Sequence, residues 1–261
     1  MDILNQIIVS KKSEVEIAKQ NFPLEKIQKR VLSMSQKSSY LSKKSDLQLI
    51  AEIKRKSPSK GIIRSQFEPV TIAKEFVSGG ASCLSVLTDE PFFGGSLEVL
   101  KKIRKEVGVP ILRKDFIIDP YQIYETKLVG ANLILLLAHV LGEGLGGFLK
   151  LSLELGLQPL IEVHDLVELE MVLSILDKLE SSEFPILIGV NNRNLRTFEV
   201  NLQNCIDLKS QIPDKYFAVA ESGLQTIKDL EVVRKVAFDG VLIGEGLAKN
   251  PELIDYFKHS S

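Results

Sequence analysis

Three features of the chain predict an α/β protein built as a single parallel (β/α)8 barrel of the TIM type, with a helical extension at its N-terminus. Eight strand-sized apolar runs alternate with helical patterns along most of the sequence. No linker separates a first half from a second, and 261 residues is an ordinary length for one such barrel. A doubly wound open sheet is the alternative, disfavoured because no G-x-G-x-x-G follows the first strand.

Taken in order, residues 2–20 carry helical spacing through Ile3, Ile7, Ile8, Val15 and Ala18, and Pro23 breaks it. A second helical patch follows at Leu24, Ile27, Val31 and Leu32, and the Ser- and Lys-rich stretch 33–45 reads as a surface connector. The chain is therefore divided into an extension, 1–45, packed on the barrel, and a barrel domain, 46–261. Strands are expected at 49–54, 82–87, 109–113, 132–137, 158–163, 186–190, 217–221 and 240–243. Helices are expected at 69–78, 96–107, 120–129, 141–155, 165–179, 201–210 and 225–236, with a short one after Pro251.

Composition excludes several classes of function. The hydrophobic content of 44% and charged content of 26% suit a globular chain with a sizeable core. A net charge of −1 supplies no field for nucleic acid or an anionic membrane. The longest apolar run, 133–138, is strand-sized, and the N-terminus lacks the order of a signal peptide. Cys83 and Cys205 are lone thiols far apart in sequence, as in a reduced cytoplasmic protein, and no CxxC or HExxH supports a metal site.

The chemistry is expected at the C-terminal ends of the strands, where barrels of this kind place it. The stretch LIAEIKRKSPSKGIIR starts apolar, yet Glu52 and Lys54 interrupt it at strand period and leave from one face. Lys54, Arg55, Lys56 and Lys60 then make a polar, breaker-rich loop cationic. The third strand ends in Arg113-Lys114-Asp115, with Lys114 on the face of Leu112. Glu162 ends the fifth, Asn191, Asn192 and Arg193 the sixth, and Glu221 the seventh. Alternate strands feed one layer of a barrel, so Glu52, Lys54, Lys114, Glu162 and Glu221 are expected to converge on one mouth. The bland alternative is a salt-bridge layer that only closes the barrel top.

Ser222-Gly223 and Gly244-Glu245-Gly246 form small loops after strands seven and eight, where such barrels often hold phosphate on backbone N–H groups. Together with Lys56 and Ser57 they suggest a phosphorylated substrate. Phe92, Phe93 and Phe116 are candidates for an apolar half of the pocket. His139, His164 and His259 lack a Ser or Cys partner by motif; His164 is read as a helix-start residue beside the site, and His259 as part of a tail.

AEIKRKSPSKG resembles the signature segment of the indole-3-glycerol-phosphate synthase family. The resemblance continues through LTDEPFFGGS, ILRKDFIID, PLIEVHD, IGVNNRNLRTFEV and VAESG, in family order and over nearly the whole chain. It implies closure of the indole pyrrole ring from 1-(2-carboxyphenylamino)-1-deoxyribulose 5-phosphate, with loss of carbon dioxide and water, in tryptophan biosynthesis and without metal or organic cofactor. By the same resemblance Lys114 is the general acid at the ribulose carbonyl, and Glu162 transfers a proton during dehydration. Lys54 holds the anthranilate carboxylate and protonates the leaving hydroxyl, and Glu52 orients Lys54. Glu221 and Asn191 hold substrate hydroxyls and the charged network, and Arg193 positions the anthranilate side. Ser57, Ser222, Gly223, Gly244 and Gly246 belong to the phosphate site, and Phe93 and Phe116 flank the aromatic ring. The N-terminal segment caps the mouth. Glu245 stands where the family often has a small hydroxyl residue, so its carboxylate is expected to point away from phosphate.

A lysine buried among other cations would have its pKa lowered toward an acid's task, with neighbouring glutamates opposing that shift. The rival enzyme is a phosphoribosyl isomerase on the same barrel. Cys83 opens strand two, at the wrong end to serve it. A non-catalytic phosphate-binding barrel would lack some of the charged strand ends, and here all are present. No exposed apolar repeat advertises an interface, so a monomer is expected.

Overall fold

The computed structural model describes residues 3–34, 39–58, 61–63, 66–179, 184–194 and 199–258. Ser59, Lys60 and His259, and residues 195–198 of the motif IGVNNRNLRTFEV, fall outside them. Eight parallel strands close into a barrel: β1 Gln48–Ile53, β2 Cys83–Leu87, β3 Ile111–Lys114, β4 Leu133–Leu137, β5 Gln158–Val163, β6 Leu187–Asn191, β7 Phe217–Glu221 and β8 Gly240–Ile243. Each pairs with its sequence neighbours and β1 closes on β8, Leu49 lying opposite Val241 and Ala51 opposite Leu84.

Period-two alternation sorts the strand side chains into two cores. Ile50, Cys83, Leu112, Leu133, Leu135, Leu160, Leu187, Phe217, Val219 and Leu242 fill the interior. The opposite faces pack against α3 Pro69–Ser78, α4 Leu97–Glu106, α5 Pro120–Leu128, α6 Leu145–Glu154, α7 Leu166–Leu176, α8 Gln203–Lys209 and α9 Ile227–Lys235. Caps set several starts: the Ser96 hydroxyl accepts from Val99 N–H, and Asp119 and Thr226 begin capping boxes.

The expected helix 141–155 is instead a turn at Ala138–Leu141, a 3-10 segment at Gly142–Gly144 and then α6, because Gly142 takes a left-handed φ of 50°. Single-turn helices at Glu90–Phe93 and Glu245–Lys249, and a small hairpin pairing Lys56–Ser57 with Gly61–Ile62, were too short for periodicity to reveal.

The extension forms α1 Ile3–Asn21 and α2 Leu24–Leu32. The Tyr121 hydroxyl on α5 donates to the Ala18 and Phe22 carbonyls at the end of α1. The connector expected on the surface is partly internal. Leu41 is buried in the inner core, its backbone N–H and C=O both bonded to the Gln158 amide at 2.8 Å. Gln158 begins β5, so Leu41 plugs the end of the barrel opposite the strand C-termini.

Candidate active site

At the C-terminal ends of the strands lies a cavity of about 190 Å3. The fourteen residues assigned catalytic or substrate-binding roles by resemblance all line it: Glu52, Lys54, Ser57, Phe93, Lys114, Phe116, Glu162, Asn191, Arg193, Glu221, Ser222, Gly223, Gly244 and Gly246. Ile3, Leu4 and Ile7 of α1 and the barrel leucines 135, 137 and 242 complete its apolar surface. Phe92 and Lys56 are not among the lining residues; the Lys56 ammonium donates to the Pro91 carbonyl at 2.8 Å.

Lys114 is the hub. Its Nζ lies 2.9 Å from Glu162 Oε2 and 3.1 Å from Glu221 Oε2. Lys54 Nζ lies 2.5 Å from Glu52 Oε1, the pair leaving one face of β1 as strand period dictates. Asn191 Nδ2 donates to Glu162 Oε1 at 2.8 Å, and Asn191 Oδ1 accepts from Arg193 N–H at 3.0 Å. Two glycines make room for the acids: a Cβ at Gly189 would collide with Glu221 Oε1, and one at Gly244 with Glu52 Oε1.

Electrostatics follow from this packing. Burial works to lower the Lys114 pKa, but Glu162, Glu221 and Glu52 outweigh it and raise it above the ordinary lysine value. That corrects the expectation of a lowered pKa, since carboxylates rather than cations surround the ammonium. Burial works to raise Glu162, and Lys114, His164 and Asn191 overcome it, holding the group below the usual carboxylate range. Glu52 is likewise lowered against its burial, by Lys54 and Lys114. Burial together with Glu162 and Glu52 pushes Glu221 up to about 8 despite Lys114. Glu221 Oε1 is buried without a hydrogen-bond partner among the described residues.

The rim on the β7 and β8 side is shaped by backbone. Ser222 and Gly223 are both left-handed, with φ of 65° and 82°. Such a conformation is costly for serine and marks a loop shaped for close approach. Asn192, buried and noted in the sequence only as a strand end, holds that loop by donating to the Glu221 and Ser222 carbonyls at 3.0 and 3.1 Å. Glu245 lines the cavity wall and so does not point clear of it. Its carboxylate faces Lys249 at 2.6 Å and Arg193 at 3.5 Å. Phe93 and Phe116 meet each other, ring centroids 6.0 Å apart and tilted 37°, as one apolar wall. His164, beside the site as read from sequence, places Nε2 3.3 Å from Glu162 Oε1 and Nδ1 3.2 Å from Glu168. Burial works to lower its pKa, but those two carboxylates push it up to about 10.

A network of three carboxyl groups and two ammonium groups around a hollow, beside a glycine-rich rim, can move protons on a bound anion. A salt-bridge layer that merely sealed the barrel would leave no such hollow. Among the described residues no group of His, Cys, Asp and Glu is arranged to hold a metal ion, and no helix is long and apolar enough to cross a membrane.

The sequence pattern of the indole-3-glycerol phosphate synthase family matches residues 4–259. The chain belongs to this family. Its members are decarboxylating lyases of tryptophan biosynthesis. The indole-3-glycerol phosphate synthase of Rippkaea orientalis is 45% identical over 260 residues, covering 96% of this chain and 86% of its own. That of Chlorobium limicola is 40% identical over 258 residues, covering 97% of each. That of Bacteroides thetaiotaomicron is 42% identical over 256 residues, covering 96% and 94%. The family likeness thus spans both the barrel and the N-terminal helices.

Sequence reasoning missed Lys11, Leu4 and the part played by Asp115 and Asn192. Ile3 and Ile7 belonged to a helical stripe that pattern alone assigns to packing; only their position over the mouth makes them part of a binding surface.

Proposed function

We propose that this chain converts 1-(2-carboxyphenylamino)-1-deoxyribulose 5-phosphate to indole-3-glycerol phosphate, carbon dioxide and water. The observation that carries this reading is a half-buried lysine, Lys114, held between two glutamates in an apolar-walled mouth. In the first step the ring carbon bearing the carboxylate attacks the ribulose carbonyl. The carbonyl electron pair moves to oxygen as the carbon–carbon bond forms, and Lys114 gives that oxygen its proton. A raised lysine pKa is compatible with this donation, because the acceptor becomes an alkoxide, a stronger base than an amine. Loss of carbon dioxide leaves its bonding electrons on the ring.

Dehydration follows. Lys54 supplies a proton to the departing hydroxyl, and Glu162, ionised and 2.9 Å from Lys114, takes the proton that leaves the neighbouring methylene. The two ammonium groups and Arg193 hold the anthranilate carboxylate until it leaves. Glu221, carrying its proton at neutral pH, and Asn191 bind sugar hydroxyls, which supplies a partner for Glu221 Oε1. Phosphate sits on Ser57, the Ser222–Gly223 loop and the amides around Gly244 and Gly246. Phe93 and Phe116 form an apolar wall for the aromatic ring. Residues 1–45 act as an extension whose helix α1 covers the mouth of the catalytic barrel, 46–261. The active unit is a cytoplasmic monomer: the exposed large apolar side chains are spread over several elements, with Val9 on α1, Leu32 on α2, Ile62 in the hairpin and Val167 on α7.

The test is direct. The chain has no Trp, so mixing it with substrate should generate indole emission over a dark background, with carbon dioxide released in equal amount. Purified protein that yields neither would reject the proposal.

A further inference from the structure

Helix α1 carries a charge that the proposed chemistry does not use. Lys11 is fully buried, on the face shared with Ile7 and Val15. Its Nζ lies 3.0 Å from Asp115 Oδ1, 3.1 Å from Asp89 Oδ2 and 2.7 Å from Glu14 Oε2. Asp115 and Asp89 are buried as well. An ammonium in such a place persists only if paired, and stability alone is a weak reason to keep one, since apolar residues of similar size often serve that end as well.

The two buried carboxylates have other tasks. Asp115 stands between Lys114 and Phe116, both in the cavity wall. Its Oδ1 also accepts the Phe116 N–H at 2.8 Å, while Oδ2 accepts from Thr88 Oγ1 at 2.6 Å and the Arg113 guanidinium at 2.9 Å. Asp89 Oδ1 accepts the Phe92 N–H at 2.9 Å and so starts the helical turn that ends in Phe93. One ammonium therefore touches the acids that shape the loops after β2 and β3. The same helix, one and two turns earlier, lays Ile7, Leu4 and Ile3 on the cavity.

We propose that Lys11 is a positioning residue: it pins the N-terminal helix to Asp115 and Asp89, and thereby sets Lys114 and the Phe93–Phe116 wall in register with the covered mouth. The ion pairs fix distances that apolar packing leaves loose. A misplacement on the order of 1 Å at a reacting group costs up to about a hundredfold in rate. The inference rests on the reaction proposed above only for its kinetic readout.

The experiment compares wild type, Lys11→Met and the charge-balanced double variant Lys11→Met/Asp89→Asn, all as full chains. The Asp89→Asn change retains the cap on the Phe92 N–H, because an amide oxygen accepts there as well. Each is assayed by indole emission well below its own Tm. In the double variant, relief of the stranded carboxylate should restore Tm toward wild type, while kcat stays about tenfold or more below it and KM rises several-fold. A double variant within about twofold of wild-type kcat overturns the proposal and makes Lys11 a structural anchor only. Wild-type turnover tests the reaction independently. Should wild type show none, amide exchange decides: protection at 92–94 and 116–118 should fall about tenfold in the double variant, and unchanged protection overturns the proposal.

Discussion

Lys114 and Glu162 touch each other yet should fail differently when altered. Lys114→Ala removes the proton donor of the first step, so kcat should fall ~10²–10⁴-fold while the far-ultraviolet circular dichroism stays that of the wild type. Near-normal kcat would exclude Lys114 as the acid. Glu162→Gln keeps the size and the contact with Asn191 but cannot take a proton, so kcat should fall further than KM rises. The reverse pattern would make Glu162 a binding group. Glu245 poses a separate question, since it places a carboxylate on the wall of the proposed phosphate site. Glu245→Ser should lower KM, and the inhibition constant of inorganic phosphate, by about threefold to tenfold, the range expected when one partly screened repulsion is removed. Unchanged constants would mean that Lys249 and Arg193 already neutralise it.

Each element does one thing that its neighbours cannot. The strands deliver charge to one rim because alternate strands contribute to the same layer, and the glycines at 189 and 244 leave the space those acids occupy. The connector closes the opposite end with Leu41, which shares the inner core with Ile50, Leu160 and Phe217. Truncating it should open a cavity far from the chemistry. Leu41→Ala is expected to lose ~2–5 kcal/mol in denaturant unfolding, with kcat at 25 °C unchanged. A loss below ~1 kcal/mol would show that the plug collapses onto the vacated space or was never filled. The strands and main helices were legible because their patterns run long enough to reveal a period. The single turns at Glu90–Phe93 and Glu245–Lys249 were not, since one turn has no period to detect.

For the molecule as a whole, the buried charges make stability depend on pH. His164 is raised from 6.5 to about 10. Its ion pairs therefore stabilise fully below pH 6.5, and that contribution is lost as pH rises toward 10. Glu221, raised from 4.5 to about 8, acts in the same direction between those values. Tm should fall steadily from about pH 5 to pH 10, and His164→Asn should flatten the upper half of the curve, from about 6.5 to 10. A variant curve parallel to wild type over that interval would show that His164 is not held charged.

The order of strands, their charged ends and the small loops after β7 and β8 were all readable from residue type and spacing, because a parallel barrel converts strand period directly into position. Fourteen of the residues that line the cavity were found that way or through the family motifs. What a linear reading misjudged was environment. It placed the glutamates beside Lys114 but expected the cations to prevail and lower its pKa, left Leu41 on the surface, and did not single out Lys11. Local pattern tells which face a side chain leaves from. Which charges meet it there, and whether water remains, depends on segments a hundred residues away, and only the folded chain brings those together.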